Sequence, residues 1–239
     1  MSGPLVFSVF TLVHAAIAVA SLKVADVLLW PALCLFVVEA VTAFDNGVTV
    51  AGKSLGLSGL NRKLNLTRFF LHASCIGLLL PVYGGIGLEL AFTGGVAEWT
   101  MLLCWILGLA ICLFGYLVQF RGLRLIMPVN YFGCLRYAQS VNDNTRWPGY
   151  DYSEAELNNK SLPPLASIIT TFIGLIIALM IGWFGSFWVP FIVTAVMLLA
   201  GAFPQRRWAP VATSGLEIIF SSGLFYSLWY AAQSVGQGA

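Results

Sequence analysis

The chain has 239 residues, of which 59% are hydrophobic and only 9% are charged. Soluble domains carry about 25% charged residues, so this composition excludes a water-soluble globular domain, a disordered chain and a disulfide-stabilised secreted scaffold. The net charge of +2 also excludes a nucleic-acid binder of the ordinary basic kind. Together with a mean hydropathy of +0.87, these values predict an integral, multi-pass membrane protein.

Seven apolar runs follow one another along the chain. Each approaches the length of about 20 residues that a helix needs to cross a hydrocarbon core of about 30 Å. Backbone polar groups must be satisfied inside such segments, so helices are expected. The sequence therefore predicts an all-α fold: a polytopic membrane helix bundle with seven transmembrane helices, in one transmembrane domain over 1–239. The runs are 4–22, 27–45, 67–92, 97–118, 162–182, 185–203 and 208–231.

The basic residues predict the orientation of these spans. Of the 12 Lys and Arg residues, only Lys23 follows an odd-numbered span; it lies between spans one and two. Cytoplasmic connections carry an excess of Lys and Arg, so the N-terminus is expected to be cytoplasmic. The other eleven follow spans two, four and six: Lys53, Arg62, Lys63, Arg68, Arg121, Arg124, Arg136, Arg146, Lys160, Arg206 and Arg207.

The longest connection, 119–161, is predicted to be cytoplasmic with an interfacial segment. It begins RGLRLIMPVNYFGCLRYAQ, which is basic and aromatic, and Pro128 in its middle suggests a broken helix. Farther along, Ser153 and Glu156 have the spacing of a capping box, which predicts a short helix from residue 154.

Residues 47–54 read GVTVAGKS and match the pattern of a phosphate-binding loop. That loop works between a strand and a helix, where backbone N–H groups surround the phosphate. Here a membrane span comes first, so we interpret the segment as a glycine-rich exit from span two.

Two acidic residues lie inside predicted spans, Glu39 in span two and Glu217 in span seven. Charged groups are expensive in hydrocarbon, so an intramembrane carboxyl suggests a functional site. Both lie roughly two turns from the predicted cytoplasmic ends, where they could share one cavity as catalytic acids or proton carriers. The alternative, a protonated glutamate that is hydrogen-bonded only for packing, stays open.

A polar cluster is predicted at the cytoplasmic ends of spans two and three. Arg68 and His72 are four residues apart and so share a helix face. An Asp45–Arg68 pair could simply close the connection against the bundle. The functional alternative is a substrate-binding site for a phosphate or another polar end, held by Arg68. Its predicted residues are Asp45, Asn46, Arg68 and His72.

Other chemistries lack their patterns. The chain has two histidines and no HExxH motif, no GxSxG element and no lysine in span seven for a retinal Schiff base. No metal site and no cofactor are therefore predicted. His14, alone on an apolar helix, is expected to be a packed and hydrogen-bonded histidine.

The chain resembles the small seven-helix membrane-bound terpene cyclases of meroterpenoid biosynthesis. The similarity lies in its size, in one acid in each of spans two and seven, and in Leu216-Glu217 followed by Leu228-Trp229-Tyr230. The resemblance implies protonation of an olefin or epoxide on a prenylated substrate, with Glu39 and Glu217 in those roles.

The leading hypothesis is a membrane enzyme that acts on a lipid or isoprenoid by acid catalysis, as a cyclase or isomerase. Phe36 and Tyr226 could then face a carbocation, although such aromatic residues also serve as packing or lipid-facing residues. A proton- or cation-coupled transporter or channel is one alternative, and a non-catalytic subunit of a membrane complex is another. The expected partner is a membrane lipid or isoprenoid; no nucleic acid is expected, and protein partners stay undefined.

Overall fold

The computed structural model describes residues 2–123, 125–201 and 209–237, and these residues are mostly helical, as predicted. Short 3₁₀ turns join some helices, and a π-helical turn at Gly115–Phe120 extends α5. The elements in chain order are α1 (Gly3–Ser21), α2 (Leu29–Leu55), α3 (Gly59–Cys75), α4 (Leu79–Leu90), α5 (Gly94–Phe114), β1 (Met127–Tyr131), β2 (Cys134–Ala138), α6 (Glu154–Leu157), α7 (Leu165–Gly185), α8 (Val189–Gly201) and α9 (Ala209–Gln237).

Six helical segments are long and apolar enough to cross a membrane. The seventh predicted run corresponds to α8, whose apolar part, Val189–Leu199, is shorter than a span. Residues 202–203 of that run lie outside the described residues, as do Arg124, Arg206 and Arg207 of the basic set. The six segments are Gly3–Val24, Leu29–Leu55, Gly59–Leu90, Gly94–Phe120, Leu165–Gly185 and Val211–Val235.

Helix α2 is longer than the run 27–45 predicts, because it continues through the GVTVAGKS segment to Leu55. The chain leaves the helix only at Gly56, whose φ of 56° is easily adopted by glycine. The interpretation of 47–54 as a glycine-rich exit is therefore wrong, and its backbone N–H groups are used in the helix. No phosphate-binding loop forms there.

Helix α3 also begins earlier than the predicted span at 67. Ser58 caps its N-terminus, since the Ser58 hydroxyl accepts a hydrogen bond from the Asn61 N–H at 3.2 Å. A 3₁₀ turn at Ile76–Leu78 separates α3 from α4. The helices pack closely at this break, where a Cβ on Gly77 would lie 2.3 Å from the Gly108 carbonyl oxygen.

Residues 127–138 form a β-hairpin instead of the broken helix that Pro128 suggested. Strands β1 and β2 are antiparallel, and their register runs from Met127 opposite Ala138 to Tyr131 opposite Cys134. Two residues make the turn, Phe132 with φ of 52° and Gly133 with φ of 81°. Positive φ at both turn positions matches the right-handed twist of paired strands, so the turn favours a hairpin over a helix.

The hairpin lies across one end of the helix bundle, which we call the hairpin end. Its turn approaches the start of α1 so closely that a Cβ on Gly3 would lie 1.8 Å from the Phe132 carbonyl oxygen. Gly52 of α2 gives the same close approach to the Leu135 carbonyl. The rings of Phe7 and Tyr131 pack with centroids 5.5 Å apart. Helix ends and hairpin therefore form one packed unit.

The opposite half of the bundle contains the main apolar core. Tyr83 lies at its centre, fully buried, with its hydroxyl hydrogen-bonded to Thr194 on α8. Glycines allow close helix packing around it: a Cβ on Gly174 would lie 2.7 Å from the Tyr83 ring. Small residues thus bring the helices together in this half.

The predicted short helix after residue 153 is confirmed as α6. The Ser153 hydroxyl accepts a hydrogen bond from the Glu156 N–H, and the Glu156 carboxylate accepts one from the Ser153 N–H at 2.9 Å. Both bonds of a capping box are therefore present, and they fix the start of this helix.

Candidate functional site

A cavity of about 350 Å³ opens at the hairpin end. This volume suits a small ligand. Its walls come from α2, α3, the π-helical turn after α5, both strands of the hairpin, the segment before α7, and α9. The lining residues are Asp45, Arg68, Phe69, His72, Ala73, Gln119, Phe120, Leu123, Tyr131, Arg136, Ala138, Gln139, Ser140, Ser161, Leu162, Pro164 and Glu217.

Asp45 binds two arginines at the cavity wall. Arg68 Nη1 donates to Asp45 Oδ1 at 2.9 Å, which confirms the predicted pair between spans two and three. Arg136 of β2 donates through Nη2 to Asp45 Oδ1 at 3.1 Å and to Oδ2 at 3.3 Å. This second arginine was not predicted. One carboxylate therefore joins α2, α3 and the hairpin.

Arg68 also anchors the hairpin through its second terminal nitrogen, since Nη2 donates to the Tyr137 carbonyl oxygen at 3.0 Å. One turn earlier on α3, the Asn65 side chain accepts from the Tyr137 N–H at 3.1 Å. The spacing 61, 65, 68 and 72 puts Asn61, Asn65, Arg68 and His72 on one helix face. Only the last two of these residues were used for the sequence-based prediction; the full spacing is the signal that could have identified the face that binds the hairpin.

His72 lies deeper along the same face of α3 and lines the cavity. Its Nε2 lies 3.3 Å from the Ser167 hydroxyl on α7, so it links α3 to α7. Gln119 faces the cavity from the π-helical turn. Its Oε1 is buried and has no hydrogen-bond partner in the described part of the chain. Local π-helix often occurs at functional sites.

Glu217 contributes the second carboxylate of the cavity wall. It lies in α9 about two turns from the start of the helix, and it is half-buried. Among the described residues no hydrogen bond or salt bridge to its carboxylate is found. Asp45, His14 and Glu39 are all within electrostatic range of it. Of the two intramembrane acids, only Glu217 lines the cavity.

The other intramembrane acid, Glu39, forms its hydrogen bond away from the cavity wall. Its Oε2 lies 2.7 Å from Nδ1 of His14 on α1, and both side chains are buried. His14 is thus a packed, hydrogen-bonded histidine, as predicted. The bond joins the first two helices and fixes the orientation of the His14 ring, while its Nε2 is buried without a hydrogen bond to any described residue.

Tyr131 is a cavity residue that the sequence did not single out. Its ring lies between Phe7 and the guanidinium of Arg136, whose Cζ is 4.3 Å from the ring centroid. Burial, and after it the nearby carboxylates of Asp45 and Glu217, raise the pKa of Tyr131. The phenol is therefore protonated at neutral pH, and its hydroxyl has no hydrogen-bond partner within the described ranges.

Three of the predicted binding residues lie away from the cavity wall. Asn46 is buried, and its Nδ2 donates to the Thr42 carbonyl oxygen within α2 at 3.0 Å. Phe36 is half-buried nearer the start of α2. Tyr226 lies toward the other end of α9, where its ring centroid is 6.3 Å from that of Phe187. The structure thus brings together Asp45, Arg68, His72 and Glu217.

Within residues 2–123, 125–201 and 209–237, no group of three or more His, Cys, Asp or Glu side chains could hold a metal ion. Comparison with protein-family models, curated proteins and solved structures finds no match to this chain. The geometry of the cavity is therefore the basis for a functional proposal.

Proposed function

We propose that the chain is an integral membrane enzyme that acts on a lipid or isoprenoid by acid catalysis in the cavity. Seven transmembrane helices and a cytoplasmic N-terminus complete this proposal. The excess of basic residues at the hairpin end supports that orientation. The observation that carries the proposal is the Glu217 carboxyl at the cavity wall, with no hydrogen bond from any described residue.

The lining of the cavity combines polar and apolar side chains, which suits an amphiphilic substrate. Arg68, Arg136 and His72 contribute polar side chains, whereas Phe69, Phe120, Leu123 and Leu162 contribute apolar ones. A polar end would bind near the Asp45 cluster and a hydrocarbon tail would extend between the helices. Such sites combine apolar walls with a few placed polar groups.

In the proposed reaction, Glu217 donates its proton to a double bond or an epoxide of the bound substrate. The resulting carbocation closes a ring or shifts a double bond, and it then loses a proton to the Glu217 carboxylate. Substrate and product are isomers, so no other reactant is consumed. The ring of Phe120 lines the cavity and could stabilise the cation, whereas the rings of Phe69 and Tyr131 already lie against the guanidinium groups of Arg68 and Arg136.

Mass spectrometry of apolar molecules that co-purify with the protein tests this proposal. Glu217→Gln keeps the shape of the side chain but removes the acid, so a specific substrate should accumulate on this variant while the wild type carries its isomer. Glu98→Gln is the matched control, because Glu98 is exposed at the start of α5. Only bulk lipid on all three proteins would contradict the proposal.

A proton-coupled transporter is the second candidate, and the buried His14–Glu39 pair favours it. Together with Glu217, this pair forms a group of titratable side chains that extends from the cavity into the bundle. Liposomes under a pH gradient distinguish the two functions. Proton flux that Glu39→Gln abolishes, without conversion of any co-purified molecule, would favour the transporter. Retention of full function by both glutamine variants would instead favour a non-catalytic subunit.

A further inference from the structure

Three titratable side chains lie on the interior faces of α1, α2 and α9, and these helices contact one another. His14 on α1 is fully buried and Glu39 on α2 is 2% exposed. Glu217 belongs to the interior row of α9, because it lies three residues after the buried Ser214 and four before the buried Ser221. His14 and Glu39 are both within electrostatic range of Glu217. The three groups therefore share the interior between these helices.

The Glu39 carboxylate determines which nitrogen of His14 is free. Oε2 of Glu39 lies 2.7 Å from Nδ1 of His14, a distance typical of a charge-assisted hydrogen bond. A carboxylate in this position keeps a proton on Nδ1, so in the neutral ring Nε2 carries the lone pair. Nε2 is buried, and no described residue forms a hydrogen bond with it. This nitrogen can accept a proton, and the charge of Glu39 would balance the imidazolium that results.

The other titratable groups near Glu217 belong to the hairpin end, and each is engaged in a different way. The Asp45 carboxylate already binds two guanidinium groups. Burial raises the pKa of Tyr131, so this phenol keeps its own proton at neutral pH. Neither group offers the free lone pair that His14 has. The groups within electrostatic range of Glu217 are His14, Glu39, Asp45 with its partners Arg68 and Arg136, and Tyr131.

The interior faces become apolar toward the opposite half of the bundle. Ile17 follows His14 on α1, Leu35 lies one turn from Glu39 on α2, and Leu224 lies two turns from Glu217 on α9; all three are buried. Glu217, in contrast, lines the cavity. A proton on His14 is therefore most directly exchanged with Glu217, an arrangement that suits storage of a proton beside the cavity.

We propose that His14, held by Glu39, stores the proton of Glu217 between turnovers and returns it to reset the acid. In the storing step the O–H bond of Glu217 breaks and its proton binds Nε2 of His14, which gives a carboxylate and an imidazolium. The reverse transfer restores the carboxyl group, so no other reactant is consumed. The inference rests on the proposed function, because it makes His14 and Glu39 positioning residues for the acid Glu217.

NMR and infrared spectroscopy of the full chain in nanodiscs at constant pH test this inference. The chain has only two histidines, so ¹⁵N-histidine signals of His14 are assigned with His72→Gln. The carboxyl band of Glu217 is assigned by its loss in Glu217→Gln. Glu39→Gln keeps a hydrogen-bond acceptor at Nδ1 but removes the charge. We expect the ratio of imidazolium to neutral imidazole at His14 to fall about tenfold, as for loss of one charge-assisted hydrogen bond. The Glu217 carboxyl band should grow as the proton returns.

The sign of the infrared change distinguishes proton storage from simple repulsion between two carboxylates. If Glu39 acted on Glu217 only by repulsion, its neutralisation would favour ionised Glu217 and the carboxyl band would shrink. A smaller band, or an unchanged His14 signal, would overturn the inference. Glu98→Gln is the matched control, since Glu98 is exposed at the start of α5, and it should change neither signal.

Glu217→Gln is the second variant and keeps the test decisive if Glu39→Gln fails to fold. It should lower the imidazolium signal of His14, because the carboxyl group that supplies the proton is absent. An unchanged His14 signal in this variant would also overturn the inference. Either failure leaves the proposed enzyme intact, because accumulation of substrate on Glu217→Gln is measured separately by mass spectrometry. Only bulk lipid in that measurement, together with the expected His14 signals, would contradict the enzyme alone.

Discussion

The helices pack differently at the two ends of the bundle. At the far end, glycines let helices approach closely around Tyr83, and apolar contacts fill the space. At the hairpin end, long polar side chains and a β-hairpin lie between the helices and leave a cavity. Close packing gives rigidity but no room for a ligand. The polar end gives room, and it relies on specific hydrogen bonds in addition to the close approaches of Gly3 and Gly52 to the hairpin.

This comparison predicts that the hairpin end is most sensitive to loss of a buried charge. Arg68→Met removes the guanidinium but keeps much of the side-chain volume. It leaves Asp45 with only Arg136 and frees the Tyr137 carbonyl. Because Asp45 loses one charged hydrogen bond and the buried Tyr137 carbonyl loses its partner, we expect a loss of about 2–3 kcal/mol in the free energy of unfolding. Unfolding in mixed detergent–SDS micelles, followed by circular dichroism, measures this loss.

Arg146→Met is the control for that prediction. Arg146 pairs with Asp143 at 3.0 Å, but both side chains are largely exposed. Exposed pairs contribute little, so we expect no measurable change. If Arg68→Met were as stable as Arg146→Met, the hairpin end would not depend on the Asp45 cluster.

At the far end, we expect sensitivity to added volume instead. Gly174→Ala would place a Cβ 2.7 Å from the buried Tyr83 ring, which packs against Thr194. Overpacking of this kind costs about 1–3 kcal/mol. The same unfolding assay measures it, with Gly95→Ala as control, because a Cβ on Gly95 meets no atom within 4 Å. Equal stability of the two variants would show that the far end is loosely packed.

Tyr131 tests whether the cavity recognises its ligand through neutral groups. Tyr131→Phe removes only the hydroxyl and keeps the ring between Phe7 and Arg136. A neutral hydrogen bond contributes about 1 kcal/mol, so farnesol should bind about fivefold more weakly. Binding of labelled farnesol to the full chain in nanodiscs of zwitterionic lipid, with binding to protein-free nanodiscs subtracted, measures this change. A phenylalanine variant with unaltered affinity would remove Tyr131 from the recognition site, and the ring contacts would then be purely structural.

The smallest effect is expected in the exposed part of the hairpin-end connection, at α6. Ser153→Ala removes the capping hydroxyl, which typically costs about 1 kcal/mol, here in the local stability of one helical turn. Hydrogen–deuterium exchange of the amides in 153–158 should become faster, while exchange in α2 and α4 stays the same. A uniform change along the chain would contradict a purely local role.

The same turn should respond to acid. Partial burial acts to raise the pKa of Glu156, but hydrogen bonds from the Ser153 N–H, the Tyr150 hydroxyl and the Ser153 hydroxyl outweigh it and lower the pKa. A lowered pKa in the folded state stabilises the turn above the unfolded value of about 4.3. That stabilisation is lost as the pH falls through the folded value. Exchange at 153–158 measured from pH 6 to pH 3 should show this loss.

The sequence by itself predicted much of this protein. Long apolar runs allow only helices where backbone groups have no water to bind, so the helical fold followed from composition. Spacing also predicted the capping box at Ser153, and the positions of Asp45 and Arg68 at the ends of consecutive spans predicted their pair. The capping box lies within four consecutive residues, and the ion pair joins two consecutive helices.

Tertiary structure decided how the two acids differ. Glu39 and Glu217 look alike in uniformly apolar runs, because such runs do not fix the rotation of a helix. Packing of α1 against α2 brings Glu39 into a hydrogen bond with His14, whereas α9 places Glu217 at the cavity wall. The hairpin depends on two positive φ angles and on docking against helix ends far away in sequence. Contacts between distant segments, which no local pattern encodes, therefore define the candidate site.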